Sequence, residues 1–183
     1  MDIELPPDFK EFLKLLNAHR VEYLLIGGYA VGYHGYPRAT HDLDIWIAVH
    51  PNNAKRVVAA LRQFGFDMPE LSAALFLRDR IVRMGVPPLR IEITTAISGV
   101  QFKECYRGRV WDILDGVKVN LINLRHLNQQ ESQRQAQGFG RFGASALSDL
   151  LFPFTSALTI RTPLPVLARP RANRTFLRSI AAR

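Results

Sequence analysis

Apolar residues follow two different periods along the first 128 residues of the chain. From Asp8 to Arg20 they recur every three or four positions, which is typical of an amphipathic helix with Asp8 as its N-cap. Other segments are short apolar runs or alternate apolar and polar residues, and these patterns indicate strands. The predicted helices span 8–20, 29–34 and 52–64, the last with Asn52 or Asn53 as its N-cap, and a further helix begins near Asn123. The predicted strands span 21–26, 43–49, 80–84, 89–97 and 117–122. This order predicts an α/β (α+β) fold with a small mixed β-sheet flanked by helices.

Two carboxylates, Asp42 and Asp44, lie at the start of the strand predicted over 43–49. Alternation directs Leu43 and Ile45 to the core and places both aspartates on the opposite face. At about 3.3 Å per residue the two carboxylates lie about 7 Å apart, so their repulsion and desolvation call for a nearby cation. Mg²⁺ is one candidate because it prefers oxygen ligands. The alternative is an ordinary strand end, with the aspartates exposed or paired with Arg38.

A third carboxylate and a glycine pair extend this pattern. Glu92 points away from the core of the strand predicted over 89–97, on the same face as Arg90. If the two strands are neighbours, Glu92 lies beside the two aspartates, and three such carboxylates can hold two metal ions for an in-line phosphoryl or nucleotidyl displacement. Gly27 and Gly28 precede a predicted helix, where glycine lets a phosphate approach the backbone.

The order of these residues resembles the nucleotidyltransferase superfamily. The shared pattern is Gly27-Gly28, a short helix, Arg38-x-Thr40, Asp42-Leu43-Asp44 and a later acidic residue on a strand, Glu92. Small members of this superfamily include the minimal nucleotidyltransferases and the AbiEii-type toxins, and DNA polymerase β is a distant relative. The resemblance covers about residues 20–128 and is strongest to bacterial proteins of this fold. It implies transfer of a nucleoside monophosphate from an NTP to a hydroxyl, with release of pyrophosphate.

The resemblance also implies a role for each residue of the pattern. Asp42, Asp44 and Glu92 would be the catalytic and metal-binding residues: they would hold two Mg²⁺ ions, and Glu92 would activate the acceptor hydroxyl. The nucleotide-binding residues would lie beside the triphosphate, and they are Gly27, Gly28, Arg38 and Thr40. The acceptor would be an RNA end, a protein hydroxyl or a small molecule.

The chain changes character after residue 128. Residues 129–183 contain eight Arg, no Lys and two acidic residues, so most of the net charge of +8 lies in this segment. We therefore divide the chain into a nucleotidyltransferase-fold domain over 1–128 and an atypical Gln/Arg/Pro-rich tail over 129–183, which is disordered or out of frame. Codons allowed for residues 130–145, read one base later, encode KRASGRPKDLADLEH, which matches a helix expected in the family.

A single-base insertion or deletion near residues 127–130 is our hypothesis for this tail. The alternatives are a genuine, mostly disordered basic tail and a tail that binds RNA. An altered C-terminus, together with Tyr29 where many members of the superfamily have Ser, favours a second interpretation of the whole protein. In that interpretation it is a non-catalytic module that binds nucleotide, or a partner protein in a toxin–antitoxin-like pair.

Cysteine content and hydropathy bear on the cellular compartment of the protein. Cys105 is the single cysteine, so no internal disulfide forms. The acidic N-terminus lacks the apolar region of a secretory signal. No apolar run approaches the roughly 18 residues that a membrane helix needs. These features predict a cytoplasmic protein without a membrane segment.

Overall fold

The structure, a computed structural model, describes residues 3–36, 39–86, 88–139 and 157–160. The described helices are α1 Pro7–Ala18, α2 Gly27–Tyr33, α3 Pro51–Gln63, α4 Phe102–Arg107 and α5 Leu124–Phe139. The described strands are β1 Tyr23–Ile26, β2 Asp42–Ile47, β3 Ile81–Val86, β4 Leu89–Thr94, β5 Val110–Leu114, β6 Val117–Leu121 and β7 Ala157–Ile160. A short 3-10 helix spans Ala73–Phe76.

The described strands form one mixed sheet in the order β5-β6-β1-β2-β4-β3-β7. The central strand β2 runs antiparallel to β1 and parallel to β4. Strand β1 is parallel to β6, and β3 is antiparallel to β4 and parallel to β7. Strands β5 and β6 form an antiparallel pair at one edge. The predicted fold class, a mixed sheet flanked by helices, is therefore confirmed.

Apolar side chains form two clusters on the two faces of the central strands. In the larger cluster, Phe12 of α1 and Val57 of α3 pack with Leu43 and Ile45 of β2. In the smaller cluster, Trp46 of β2 packs with residues of α4 and α5. The alternation predicted along β2 is therefore correct, because neighbouring residues face different clusters. The face that carries Trp46 is also the face toward which Asp42 and Asp44 alternate.

The predicted N-cap of α1, Asp8, lies inside the helix instead. The helix begins at Pro7, a residue well suited to a first helical position, and no side chain caps it. The side chain of Asp8 is only 2% exposed, and within the described ranges no group donates a hydrogen bond to either carboxylate oxygen. Burial, with a smaller contribution from the charge of Glu11, raises the pKa of Asp8 above its ordinary value.

Helix α3 is joined to the sheet by a buried amide. His50 is its N-cap, and Nδ1 of His50 accepts a hydrogen bond from the Asn53 backbone N–H at 3.2 Å. The Asn53 side chain accepts from the Glu22 backbone N–H at 2.8 Å and donates to the carbonyls of Glu22 at 3.1 Å and Ala48 at 2.9 Å. Asn53 therefore links α3 to the residue before β1 and the residue after β2.

Helix α5 crosses the predicted domain boundary at residue 128. It continues to Phe139, so the first part of the predicted tail is helical. Leu127 is buried against the sheet, and the Gln129 side chain donates a hydrogen bond to the Gly99 carbonyl at 2.8 Å. These contacts anchor the helix. Its Gln, Glu and Arg residues favour helix formation, although the segment has little apolar periodicity. Strand β7 then pairs with β3.

Part of the predicted tail lies outside the described residues. These are residues 140–156 and 161–183, and for them the hypotheses of disorder and of a frameshift stay predictions. The division of the chain at residue 128 stays a prediction. Among the helices that the structure describes, none is both long and apolar enough to cross a membrane.

Candidate active site

Asp44 and Glu92 are direct neighbours across two parallel strands. Strand β2 pairs with β4 in a register that sets Asp44 opposite Glu92 and Asp42 opposite Arg90. The sequence pattern placed Glu92 beside the two aspartates only if their strands are neighbours, and β2 and β4 are neighbours. Asp42, Asp44 and Glu92 all line one open cavity of about 870 Å³.

The glycine pair at the start of α2 packs against this cavity. Gly27 has φ +63°, and a Cβ atom there would overlap the carboxylate of Asp44. A Cβ at Gly28 would lie 2.5 Å from Oγ1 of Thr40. Thr40 in turn donates a hydrogen bond to the Asp42 carbonyl at 3.2 Å. The two glycines therefore let Asp44 of β2 and Thr40, just before β2, pack tightly against the backbone of α2.

Two arginines hold two of the three carboxylates. Arg90 donates from Nε to Oδ1 of Asp42 at 2.9 Å and from Nη2 to Oδ2 at 2.8 Å. Arg83, on β3, donates from Nε to Oε1 of Glu92 at 2.7 Å. The hydrogen bonds to Asp42, together with its charge, raise the pKa of the Arg90 guanidinium above its ordinary value. Asp42 is therefore paired with Arg90. The partner suggested by the sequence, Arg38, lies outside the described residues.

The chemistry of the three carboxylates suits a hard divalent cation such as Mg²⁺. Their present arrangement does not complete a site: across the described ranges, no three His, Cys, Asp or Glu side chains stand close enough together to hold one ion. In this arrangement Arg90 bonds both oxygens of Asp42, and Arg83 bonds Glu92. While Arg90 holds both oxygens of Asp42, a cation would have to compete with the guanidinium for this carboxylate.

The structure brings together five of the seven residues that the sequence singled out. The cavity is lined by Gly27, Thr40, Asp42, Asp44 and Glu92. Gly28 packs against Thr40 and does not itself line the cavity. Arg38 lies outside the described residues. The roles of these residues in metal and nucleotide binding stay predictions.

Sequence reasoning missed two charged residues of the cavity, Arg83 and Arg90. Arg90 stood on the same strand face as Glu92, but the pattern gave it no role. A signal was present, because carboxylates on a strand face need cationic neighbours, and arginines on the same face are the first candidates. Assigning each arginine to its carboxylate required the register of β2, β3 and β4.

A second cavity, of about 670 Å³, lies farther along the same face of the sheet. Trp46 lines it and packs edge-to-face on Phe102 of α4, with ring centroids 5.1 Å apart. The indole Nε1 donates to the Thr95 carbonyl at 3.2 Å. Trp46 is therefore a packing residue under α4.

The fold is similar to that of a solved protein. The crystal structure of a candidate nucleotidyltransferase from Thermotoga maritima matches with a TM-score of 0.51 and 14% sequence identity. The match covers 73% of this chain and 89% of that one. No protein-family model matches the chain, and no curated protein matches it either. At this identity the similarity establishes a nucleotidyltransferase-like fold.

Proposed function

We propose that the protein is a Mg²⁺-dependent nucleotidyltransferase that moves a nucleoside monophosphate from an NTP to a hydroxyl acceptor. One observation carries the proposal. Asp44 and Glu92 are register partners on adjacent parallel strands, and with Asp42 they line a single cavity beside the Gly27 backbone. The nucleotidyltransferase-like fold supports the same conclusion.

Each residue that the sequence singled out has a part in the proposed reaction. Asp42, Asp44 and Glu92 would hold two Mg²⁺ ions, and these would polarise the phosphate oxygens and neutralise charge on the leaving group. Gly27 gives the triphosphate access to the backbone, with Gly28, Arg38 and Thr40 near it. Glu92 accepts the proton of the acceptor hydroxyl, whose oxygen forms a bond to the α-phosphorus. The bond from the α-phosphorus to the bridging oxygen breaks, and pyrophosphate leaves.

Label transfer tests this proposal. The protein is incubated with Mg²⁺ and each α-³²P-labelled NTP, together with RNA or with cell-lysate proteins as acceptors. We expect label on one acceptor class, and we expect Asp44→Asn to abolish it. Asp67→Asn is the matched control, since Asp67 is exposed and far from the cavity in sequence. Label transfer that survives Asp44→Asn, or none with any NTP and acceptor, contradicts the proposal.

A second candidate function is a non-catalytic nucleotide-binding module or a partner protein of a toxin–antitoxin-like pair. The ion pairs of Asp42 with Arg90 and of Glu92 with Arg83 favour it, because they neutralise two of the three carboxylates. Titration with Mg·ATP and Mg·GTP separates the two functions. Binding without label transfer supports the module.

We also propose that the chain belongs with the minimal or AbiEii-type members of the superfamily and that its C-terminal segment is out of frame. The codons allowed for residues 130–145 support the second point, since they permit the expected helix in the next frame. Sequencing the coding DNA tests it. An alternative frame that does not encode Lys-Asp-x-x-Asp in this region rules it out.

A further inference from the structure

Arg90 occupies the two oxygens of Asp42 that the proposed function assigns to a metal ion. Its guanidinium makes two parallel hydrogen bonds to them, at 2.9 and 2.8 Å. Such a bidentate pair uses the carboxylate face on which a cation would also bind. The guanidinium and the metal ion therefore compete for Asp42.

We propose that Arg90 is a phosphate-binding residue that Asp42 holds until a divalent cation displaces it, so that the cation and the triphosphate bind cooperatively. The inference rests on the proposed function, because it takes the triphosphate of an NTP as the ligand of the cavity. It adds a residue to the site and an order to its assembly.

The chemistry of the guanidinium supports this exchange. The planar fork of an arginine matches carboxylate and phosphate oxygens equally well, and it keeps its charge at any physiological pH. Arg90 lines the cavity, and its side chain is 42% exposed. Once released from Asp42 it remains beside the space where a triphosphate would lie. It can therefore change partners without a movement of β4.

The charges of the cavity explain why the two ligands would depend on each other. Three carboxylates and the guanidiniums of Arg83 and Arg90 line it, so the five groups carry a small net negative charge. A triphosphate alone would meet carboxylate repulsion, and a cation alone would displace Arg90 with no new partner for it. When both bind, the cation reduces the carboxylate repulsion on the triphosphate, and the triphosphate provides a new partner for Arg90. Each ligand therefore strengthens binding of the other, which is positive coupling.

Arg90 is a better candidate for this exchange than Arg83. Arg83 makes a single hydrogen bond to Glu92, from the neighbouring strand β3, and is 33% exposed. Its position suits a residue that orients Glu92. Arg90 lies on the same strand as Glu92 and directly opposite Asp42. The competition for a metal ligand therefore concerns Arg90.

The experiment measures binding at equilibrium in the full chain, without turnover. Electron paramagnetic resonance follows Mn²⁺ binding without nucleotide, and calorimetry follows binding of inorganic tripolyphosphate in excess Mg²⁺. Arg90→Gln is expected to tighten Mn²⁺ binding by about tenfold, because the competing cation is gone, and to weaken tripolyphosphate binding by about tenfold. The tripolyphosphate affinity of Arg90→Lys should lie between those of the wild type and Arg90→Gln, because lysine keeps the positive charge and lacks the two parallel N–H donors of the guanidinium.

Two controls separate exchange from a structural effect. Arg62→Gln removes an exposed arginine that pairs with Asp67, and both affinities should stay at the wild-type values. In an Asp42→Asn background, Arg90→Gln should no longer change Mn²⁺ affinity, because the competition is absent. A structural role for Arg90 would instead lower both affinities and the melting temperature.

The possible results are distinct. Mn²⁺ affinity that is unchanged or weaker in folded Arg90→Gln overturns the displacement. Tighter Mn²⁺ binding with unchanged tripolyphosphate affinity overturns the phosphate-binding role. Failure of the proposed nucleotidyl transfer would appear separately, as absence of label transfer in wild-type protein whose Mn²⁺ and tripolyphosphate binding follow the expected pattern.

Discussion

Gly27, at the first position of α2, lies directly against the carboxylate of Asp44 on β2. A Cβ atom at Gly27 would overlap Oδ2 of Asp44, and the backbone there has φ +63°, which favours glycine. The contact fixes Asp44 at the wall of the cavity and brings the α2 backbone to the same place. The glycine pair therefore determines the geometry of the acidic site as well as the turn.

Gly27→Ala should destabilise the protein and displace Asp44. The positive φ costs about 1–2 kcal/mol for a residue with a Cβ, and the overlap adds to that cost. Chemical denaturation should show the loss of stability, and label transfer should be lost with it. Gly32→Ala in the same helix is the control, because no described atom lies within 4 Å of a Cβ there. Gly32→Ala should raise the free energy of unfolding by up to about 1 kcal/mol. Equal changes in stability for Gly27→Ala and Gly32→Ala would contradict this role of Gly27.

The buried carboxylate of Asp8 should make stability depend on pH. Its pKa is raised in the folded protein, so its contribution to stability is fully present below the unfolded pKa and is lost as pH rises through the folded value. Asp8→Asn should therefore raise the melting temperature at pH 7, and the gain should disappear below about pH 4. Thermal denaturation from pH 3.5 to 8 measures this difference.

The exposed Asp67→Asn variant is the control for that series, since its side chain is 84% exposed. It should show no comparable gain at neutral pH. If Asp8→Asn is less stable than wild type at pH 7, then the carboxylate has a favourable partner and the account of Asp8 is incorrect.

Asn53→Ala should be among the more destabilising single substitutions in the domain. The amide makes three hydrogen bonds to backbone groups of Glu22 and Ala48, and its loss leaves buried groups without partners. We expect a loss of about 2–4 kcal/mol in the free energy of unfolding, measured with urea. The neighbouring residue Asn52 is exposed, so Asn52→Ala should change stability by less than about 0.5 kcal/mol. Similar losses in both variants would contradict this role.

The sequence predicted the elements whose periodicity is strong. The alternation of β2 placed Leu43 and Ile45 in the core, and the three/four spacing of α1 identified its buried face. The described elements that the sequence did not predict include α4 and β5. Helix α4 has only six residues, and β5 exposes the large apolar residues Trp111 and Ile113, so neither shows the pattern of a half-buried element.

The candidate site was predictable up to the point where register matters. Spacing and strand alternation identified Asp42, Asp44 and Glu92, because both patterns depend on local backbone geometry alone. The ion pairs of Arg83 and Arg90 depend on which strands are neighbours and how they are aligned, which tertiary packing decides. The predicted cap of α3, Asn52 or Asn53, is wrong for a similar reason: His50 caps the helix, and the Asn53 side chain instead bonds Glu22 and Ala48, which flank β1 and β2.

The most direct measurement compares one NTP labelled at two positions. The protein is incubated with Mg²⁺ and the acceptor, using the α-³²P-labelled NTP in one reaction and the γ-³²P-labelled NTP in the other. Nucleotidyl transfer predicts label on the acceptor from the α position, label in pyrophosphate from the γ position, and neither with Asp44→Asn. Acceptor labelled from the γ position, or α-label transfer that does not need Asp44, would contradict the account.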